Sequence, residues 1–275
     1  MKAQTLVRAS TGLNLPATTV ERAVGQRMGL TGHADSEGYL RALTGEELTA
    51  LLELLVVPES WFFRDRQAFR AAADFVLERL ARAPRRAPLR ILSLPCAGGE
   101  EPYSMAMALA DAGVPADAAS IDAVDLSPAC IARARAGVYG RNAFRGADTA
   151  FRDRHFSPAG AGEYRIAEAL RARVRFGQGN LLRLDGVASK CYDVVFCRNL
   201  LIYFDAPTTQ AAIAILAALL ADDGMLLAGY AEVPAFCQHG FAALPHKHAF
   251  ALKKRRDAAR PAMPPAARPA PPRPA

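Results

Sequence analysis

Two glycines followed by two acids and a proline, Gly98-Gly99-Glu100-Glu101-Pro102, are the residues whose order most narrows the chemistry of this chain. Glycines let a backbone approach a ligand closely, and a carboxylate just after them can meet a cationic group. The same residues also make a tight strand-to-helix turn with nothing bound, and the two readings stand level. Acids and proline are at home in a first helical turn, where the dipole is positive and the missing proline N–H costs nothing. A dinucleotide site would instead present GxGxxG, with pyrophosphate resting on the helix N-terminus. Two glutamates in that place repel a pyrophosphate. They suit a ligand that carries an ammonium group and no phosphate.

S-adenosylmethionine is such a ligand, and further stretches offer groups for its other parts. Asp125, in Ala123-Val124-Asp125-Leu126-Ser127, lies 27 residues past Gly98. An acid ending a second strand there can accept two hydrogen bonds from ribose hydroxyls. As a helix N-cap ahead of Pro128 it would serve structure alone. Asn180-Leu181 follows the run Val174-Arg175-Phe176 and offers a side-chain amide and a backbone N–H to an adenine edge. Tyr192 to Phe196 reads as a buried strand, after which Arg198, Asn199 and Tyr203 fall at the carboxyl edge of the sheet. Arginine and asparagine are poor core residues, so a surface loop or a site must explain them. Tyr203 can also serve as an aromatic that covers the core. Cys96, Cys130, Cys191, Cys197 and Cys237 show no CxxC pair and no Cys/His ligand spacing, and their odd number suits reduced thiols. No metal site and no nucleophilic cysteine is expected.

These residues need a scaffold. In a chain of 275 residues, 51% hydrophobic against 22% charged leaves material for one large domain or a small one and a large one. The net charge of +7 suggests nucleic acid only until it is located. Residues 253–275 hold seven basic side chains against Asp257 alone, so the body is near neutral and nucleic-acid binding gains no support. Apolar runs such as Ile213–Leu220 are too short to span a bilayer, and Met1-Lys2-Ala3-Gln4 lacks the apolar region of a signal peptide. A cytoplasmic protein without membrane insertion is expected.

Residues 1–16 suggest an extended or frayed start. Val20, Val24 and Met28 predict a helix over 18–30, with Thr18 or Thr19 as cap and Gly29 as stop. Further helices are expected over Ser36–Leu43, from Thr44 through Leu55, and over Gln67–Arg82, giving a small all-α domain over 1–83. The proline-bounded stretch Ala83–Pro88 is the best internal boundary. Beyond it strand and helix alternate, with strands at 90–94, 120–125, 191–197, 225–230 and 248–253 and helices at 100–112, 128–136 and 207–221. Alternation predicts an α/β domain over 84–256, a Rossmann-like parallel sheet with helices on both faces. Between Tyr139 and Gly179 the rhythm breaks. Phe151–Phe156, Tyr164–Ile166 and Val174–Phe176 read as short β-like pieces of an antiparallel insertion at about 150–177. From Asp257, seven prolines among nineteen residues without apolar periodicity predict a disordered or polyproline-like tail.

Taken in order, Ser60-Trp61-Phe62-Phe63-Arg64-Asp65, Gly99-Glu100-Glu101-Pro102-Tyr103-Ser104, Asp125, Asn180-Leu181-Leu182 and Phe196-Cys197-Arg198-Asn199-Leu200-Leu201-Ile202-Tyr203-Phe204-Asp205 resemble the chemotaxis-receptor methyltransferase (CheR) family, over roughly residues 15–254. The resemblance implies an S-adenosylmethionine-dependent O-methyltransferase that esterifies glutamate side chains on the cytoplasmic helices of methyl-accepting chemoreceptors, leaving S-adenosylhomocysteine. It also implies a helical N-terminal domain and a β-subdomain in the Rossmann-like domain. By resemblance, Ser60 and Arg64 reach the cofactor from the N-terminal side and Glu101 takes the ammonium. Asp125 takes the ribose and Asn180 and Leu181 the adenine, while Arg198 and Asn199 line the far wall. Arg64 and Tyr203 stand beside the transferring methyl as the catalytic pair.

A carboxylate acceptor is already ionised at pH 7, so such a transfer needs no general base. Its rate comes from alignment and partial desolvation, and a guanidinium with a phenol can aim one carboxylate oxygen. A monomer is the expected state. Departures from the family pattern are Pro95 and Ala97 in the first loop, the bulk of Trp61, and Tyr230-Ala231-Glu232 where His-Ser-Glu is usual. Residues 1–83 also carry ten basic and ten acidic side chains, where receptor-binding members have a strongly basic helix. A divergent receptor outside flagellar chemotaxis is implied, with weaker electrostatic steering toward an acidic helix.

Overall fold

The computed structural model describes residues 2–82, 87–146, 148–184 and 189–255. The Ala83–Arg86 part of the expected boundary and the expected tail from Asp257 lie outside them. The chain opens with α1 (Ala3–Thr11), where an extended start was expected. Val7 and Thr11 turn inward, and the helix completes itself with partners far along the chain. The Asn180 amide donates to the Ser10 carbonyl at 3.1 Å and the Arg183 guanidinium to the Ala9 carbonyl at 3.0 Å. Arg8 pairs with Asp205. Gly12 closes the helix locally at φ +82°, with its N–H on the Arg8 carbonyl at 2.8 Å, and partners at least 170 residues away anchor it.

Helix α2 (Ala17–Thr31) runs through the expected stop at Gly29 and starts after Pro16 rather than at a threonine cap. It ends instead at Gly32, which takes φ +75° and returns its N–H to the Met28 carbonyl at 2.9 Å. Only a residue without Cβ adopts that left-handed cap without cost. Then come α3 (Ser36–Arg41), capped by Asp35, and α4 (Gly45–Glu53), capped by Thr44. Val7, Val20, Val24, Tyr39 and Leu51 bury one another between these helices. Helix α5 (Arg66–Arg82) crosses to the sheet, burying Phe69, Ala72 and Val76 there.

The sheet is built from β1 (Leu89–Ser93), α6 (Glu100–Asp111), β2 (Ala119–Asp125) and α7 (Pro128–Ala136). After these come β3 (Val138–Tyr139), α8 (Ala150–His155), β4 (Phe156–Gly160), β5 (Glu163–Ile166), α9 (Glu168–Arg171) and β6 (Val174–Gln178). The chain then adds β7 (Tyr192–Cys197), α10 (Ala206–Leu219), β8 (Leu220–Ala228), α11 (Val233–Gln238), β9 (Phe241–Ala243) and β10 (Ala251–Lys254). Seven strands lie in the order β6-β2-β1-β7-β8-β10-β9. The first five are parallel, and β10 and β9 are antiparallel to their neighbours, so the sheet is mixed rather than wholly parallel. The link from β9 to β10 carries no crossover helix, and a connection that short joins antiparallel neighbours.

Alternate side chains of the central strands divide between two cores. Ile91, Val194 and Phe196 join α5 and α6, whereas Leu92, Val195 and Leu226 join α10. The insertion differs from its expected make-up. Its three-stranded antiparallel sheet is β3-β5-β4. Phe151–His155 is helical, and Val174–Gln178 belongs to the main sheet as the partner of β2. Apolar residues with β-branched neighbours suit either role, and parallel pairing with β2 decides it.

The corrected end of α2 is directly testable. Gly29→Ala, at an interior position with open space around its Cβ, should stabilise by about 0.5–1 kcal/mol. Gly32→Ala, forced to positive φ, should destabilise by about 1 kcal/mol. Urea denaturation of both variants reads the difference in sign.

Candidate active site

Strands β1, β2 and β7 end together, and their following loops enclose a cavity of about 150 Å³. Pro95, Ala97 and Glu101, around the glycine turn, form part of its lining. The Ala97 N–H donates to Asp125 Oδ2 at 2.8 Å, and the Gly99 N–H returns to the Cys96 carbonyl at 3.0 Å. A Cβ at Gly98 would displace the Arg133 guanidinium, which lies over that glycine. Arg133 crosses that glycine to pair with Glu100 at 2.9 Å.

Asp125 sits at the end of β2, 8% exposed, and also accepts the Ser127 N–H at 3.0 Å. The N-cap of α7 is Ser127, which accepts from the Cys130 N–H at 3.0 Å, so Asp125 is not spent as a cap. Burial pushes its carboxyl above the ordinary range, and the two backbone N–H groups pull it back. Glu53 at the end of α4 reaches across to accept from the Ser127 hydroxyl at 2.7 Å and the Ala129 N–H at 3.0 Å. The helical segment is thereby tied to the cavity wall.

Glu101, in the first turn of α6, accepts from the Ser93 hydroxyl at 2.8 Å and from Arg198 at 3.2 Å. Its carboxyl is raised by burial and drawn down by Arg198. Arg198 leaves β7 with its side chain only 3% exposed. It donates to the Arg64 carbonyl at 3.0 Å and pairs with Asp65 as well as Glu101, while its Nε has no partner among the described residues. The loop after it is held by Glu232. That carboxylate, 2% exposed, accepts the N–H groups of Asn199, Leu200 and Gly229 at 2.8 Å and of Leu201 at 2.7 Å.

Ser60, Arg64, Asn199 and Tyr203 complete the wall, so seven of the expected residues, with Glu101, Asp125 and Arg198, meet at one cavity. Asn180 and Leu181 do not reach it. The Asn180 amide is committed to the Leu182 N–H at 2.9 Å and to the Ser10 carbonyl, and Leu181 is buried beneath α10. Helix α1 lies over that edge and takes the amide. Leu13 and Leu15, just past α1, roof the cavity instead. Leu13, Asp65, Glu53 and Glu232 are the contributors that sequence reasoning passed over. Glu232 alone left a signal, an acid just past the carboxyl end of a strand.

The donor set fits S-adenosylmethionine. Asp125 and Glu101 face the cavity with carboxylate oxygens, and the Ala97 and Gly99 N–H groups of the turn already have partners, a set suited to hydroxyl and ammonium donors. A family model described as CheR methyltransferase, SAM binding domain, matches residues 58–249. The chain belongs to the CheR methyltransferase family. Every cavity residue named above from Ser60 to Tyr203 falls inside that span, and the roof residues Leu13 and Leu15 fall outside it. A probable biofilm formation methyltransferase, WspC, of Pseudomonas aeruginosa is 46% identical over 266 residues, covering 94% of this chain and 63% of that protein. Its Pseudomonas putida counterpart is 45% identical over 239 residues, covering 86% and 56%. Chemotaxis protein methyltransferase 2 of Vibrio cholerae is 31% identical over 220 residues, covering 78% and 76%. The chain thus spans about three-fifths of the length of the two WspC relatives. Among the described residues no helix is long and apolar enough to cross a membrane.

Two outcomes follow from the CheR-type wall. Glu232→Gln replaces two acceptor oxygens with one and turns an NH2 group toward N–H donors. It should cost about 3 kcal/mol in urea denaturation, the scale of charge-assisted bonds lost from a buried site. Glu100 is pushed up to about 7 by burial, against the pull of Arg133. A raised acid binds its proton more tightly when folded, so stability falls as pH rises from its ordinary value near 4.5 through 7. Glu100→Gln should remove that slope and melt at a higher temperature than wild type at pH 8, with the gap closing by pH 5.

Proposed function

We propose that this chain transfers a methyl group from S-adenosylmethionine to glutamate side-chain carboxylates on the cytoplasmic helices of a chemoreceptor-type partner, forming glutamyl methyl esters. The observation that carries the reading is the pairing state of the cavity's cations. Arg198 is engaged by two carboxylates, whereas Arg64, on the same wall as Tyr203, has no carboxylate partner among the described residues. A guanidinium without a carboxylate contact, in a cavity that also presents a phenol, is a receptor for a carboxylate brought from outside.

When bound, S-adenosylmethionine supplies an electrophilic methyl on a sulfonium. Asp125 would hold the ribose hydroxyls with lone pairs left over from its two backbone bonds. Glu101 would hold the ammonium from the first turn of α6. Arg64 and Tyr203 orient the acceptor carboxylate, which needs no base because it is ionised at neutral pH. Leu13, Leu15 and Leu55 exclude water above them, and desolvation sharpens a carboxylate nucleophile. Too tight an ion pair with Arg64 would blunt it, so the arginine orients rather than activates. Ser60, Asn199 and Arg198 shape the wall.

The adenine remains without the contacts expected from Asn180 and Leu181, and the α1 edge above them is the part of the wall that would have to admit it. In this reading residues 1–83 form the helical domain and 84–256 the methyltransferase domain, acting in the cytoplasm. The WspC likeness and the balanced charge of the helical segment favour a receptor outside flagellar chemotaxis.

The test is to incubate the protein with methyl-labelled S-adenosylmethionine and receptor-bearing membranes of its own host, then release label with base. Base-labile label on a receptor is expected, and label on a small carboxylic acid alone would overturn the receptor assignment. Asp125→Ala should abolish cofactor binding in calorimetry. Tyr203→Phe should lower turnover by roughly tenfold with cofactor affinity nearly intact.

A further inference from the structure

Arg64 makes no ion pair among the described residues, although Glu59 lies near enough to feel its charge. Among the arginines around it, Arg66 pairs with Asp148, Arg133 with Glu100, Arg145 with Glu59 and Arg198 with Asp65 and Glu101. The guanidinium carbon of Arg64 lies instead 4.5 Å from the centroid of the Trp61 ring. The same ring takes a second guanidinium, that of Arg145, at 5.2 Å. Arg145 is fixed in turn by Glu59 at 2.6 Å and by the Asn142 carbonyl at 3.1 Å. The backbone just after the indole is braced twice. Phe62 donates its N–H to the Ala143 carbonyl at 2.9 Å, and Phe63 donates its N–H to the Ser104 hydroxyl at 2.9 Å.

We infer that Trp61 is the positioning residue for Arg64, holding the guanidinium by its ring face so that the arginine's donors stay free for the acceptor carboxylate. This rests on the acceptor proposed above being a carboxylate. A protein carboxylate could aim the arginine equally well, but it would occupy the fork and compete with the acceptor for it. An aromatic face attracts the cation through its quadrupole, sets the plane of the guanidinium and consumes no N–H. Indole is the strongest of the three rings in this role, which gives the bulk at position 61 a purpose. Arg145 and Glu59 keep the indole from turning away.

Trp61 is the one tryptophan of the chain, so its emission reports the stack directly. Arg64→Gln, which leaves the ring untouched, should shift that emission and raise its quenching by acrylamide. Identical emission and quenching in wild type and variant would overturn the stack. The second readout separates positioning from folding. Trp61→Leu should lower kcat about tenfold while the calorimetric Kd for S-adenosylmethionine stays within about twofold, and Trp61→Phe should recover most of the rate. A leucine variant at the wild-type rate, or equal losses in both variants, would overturn the proposal. Wild-type protein that esterifies no carboxylate would overturn the proposed function instead, and the emission of Arg64→Gln would still decide the stack.

Discussion

One carboxylate holds the carboxyl edge of this sheet in shape. Glu232, buried behind the cavity, collects four backbone N–H groups from two loops, three after β7 and one after β8. Those N–H groups have no strand partner once the sheet ends, and an unpaired buried donor costs on the order of 1–3 kcal/mol. A single ionised side chain satisfies all of them and welds the loops together. Asn199, inside that loop, adopts φ 59°, a conformation that side chains rarely hold unless their surroundings impose it. Arg198 leaves β7 just ahead of it and is aimed by the same fixation.

From Arg198 the organisation spreads outward. Its guanidinium joins the exit of β7 to two other pieces of chain, the α6 turn through Glu101 and the loop ahead of α5 through Asp65 and the Arg64 carbonyl. Such a buried hub is a poor source of stability, because desolvating the charges offsets much of their attraction. Its effect is geometric. It puts the loop of residues 58–65 against the ends of β1 and β7, and so brings the Arg64 side chain to the cavity while using only its backbone. The apolar roof arrives independently. Glu53 pins α4 to the start of α7, and the Asn14 N–H donates to the Tyr203 carbonyl at 2.8 Å. The cavity therefore has a floor built from one sheet edge and a roof borrowed from a helical segment distant in sequence.

Much of this could be read from the residue order. The helix periods, the acids after Gly98 and Gly99, and the polar exit of β7 at Arg198-Asn199 are local facts, and strand–helix alternation limits the topology to an open α/β sheet. Asp125 was placed for the same reason, since an acid at the end of a parallel strand faces the crevice. Local patterns failed where a distant partner decides the outcome. Helix α1 is fixed in place by Asn180, Arg183 and Asp205, which no local pattern could name. Val174–Gln178 is a main-sheet strand because β2 lies beside it.

Residue order argued against a phosphate at the turn after β1, because two acids adjoin it. Seven of the side chains that meet at the cavity could also be named from the sequence alone, by residue type, order and resemblance. Packing settled how the expected groups are used. It gave Asn180 to α1 and Arg198 to Asp65 and Glu101, and it left Arg64 resting on an indole face. The reason is physical. A residue's type fixes its charge and its hydrogen-bonding capacity, whereas the partner that uses them is whichever group packing brings within about 3 Å.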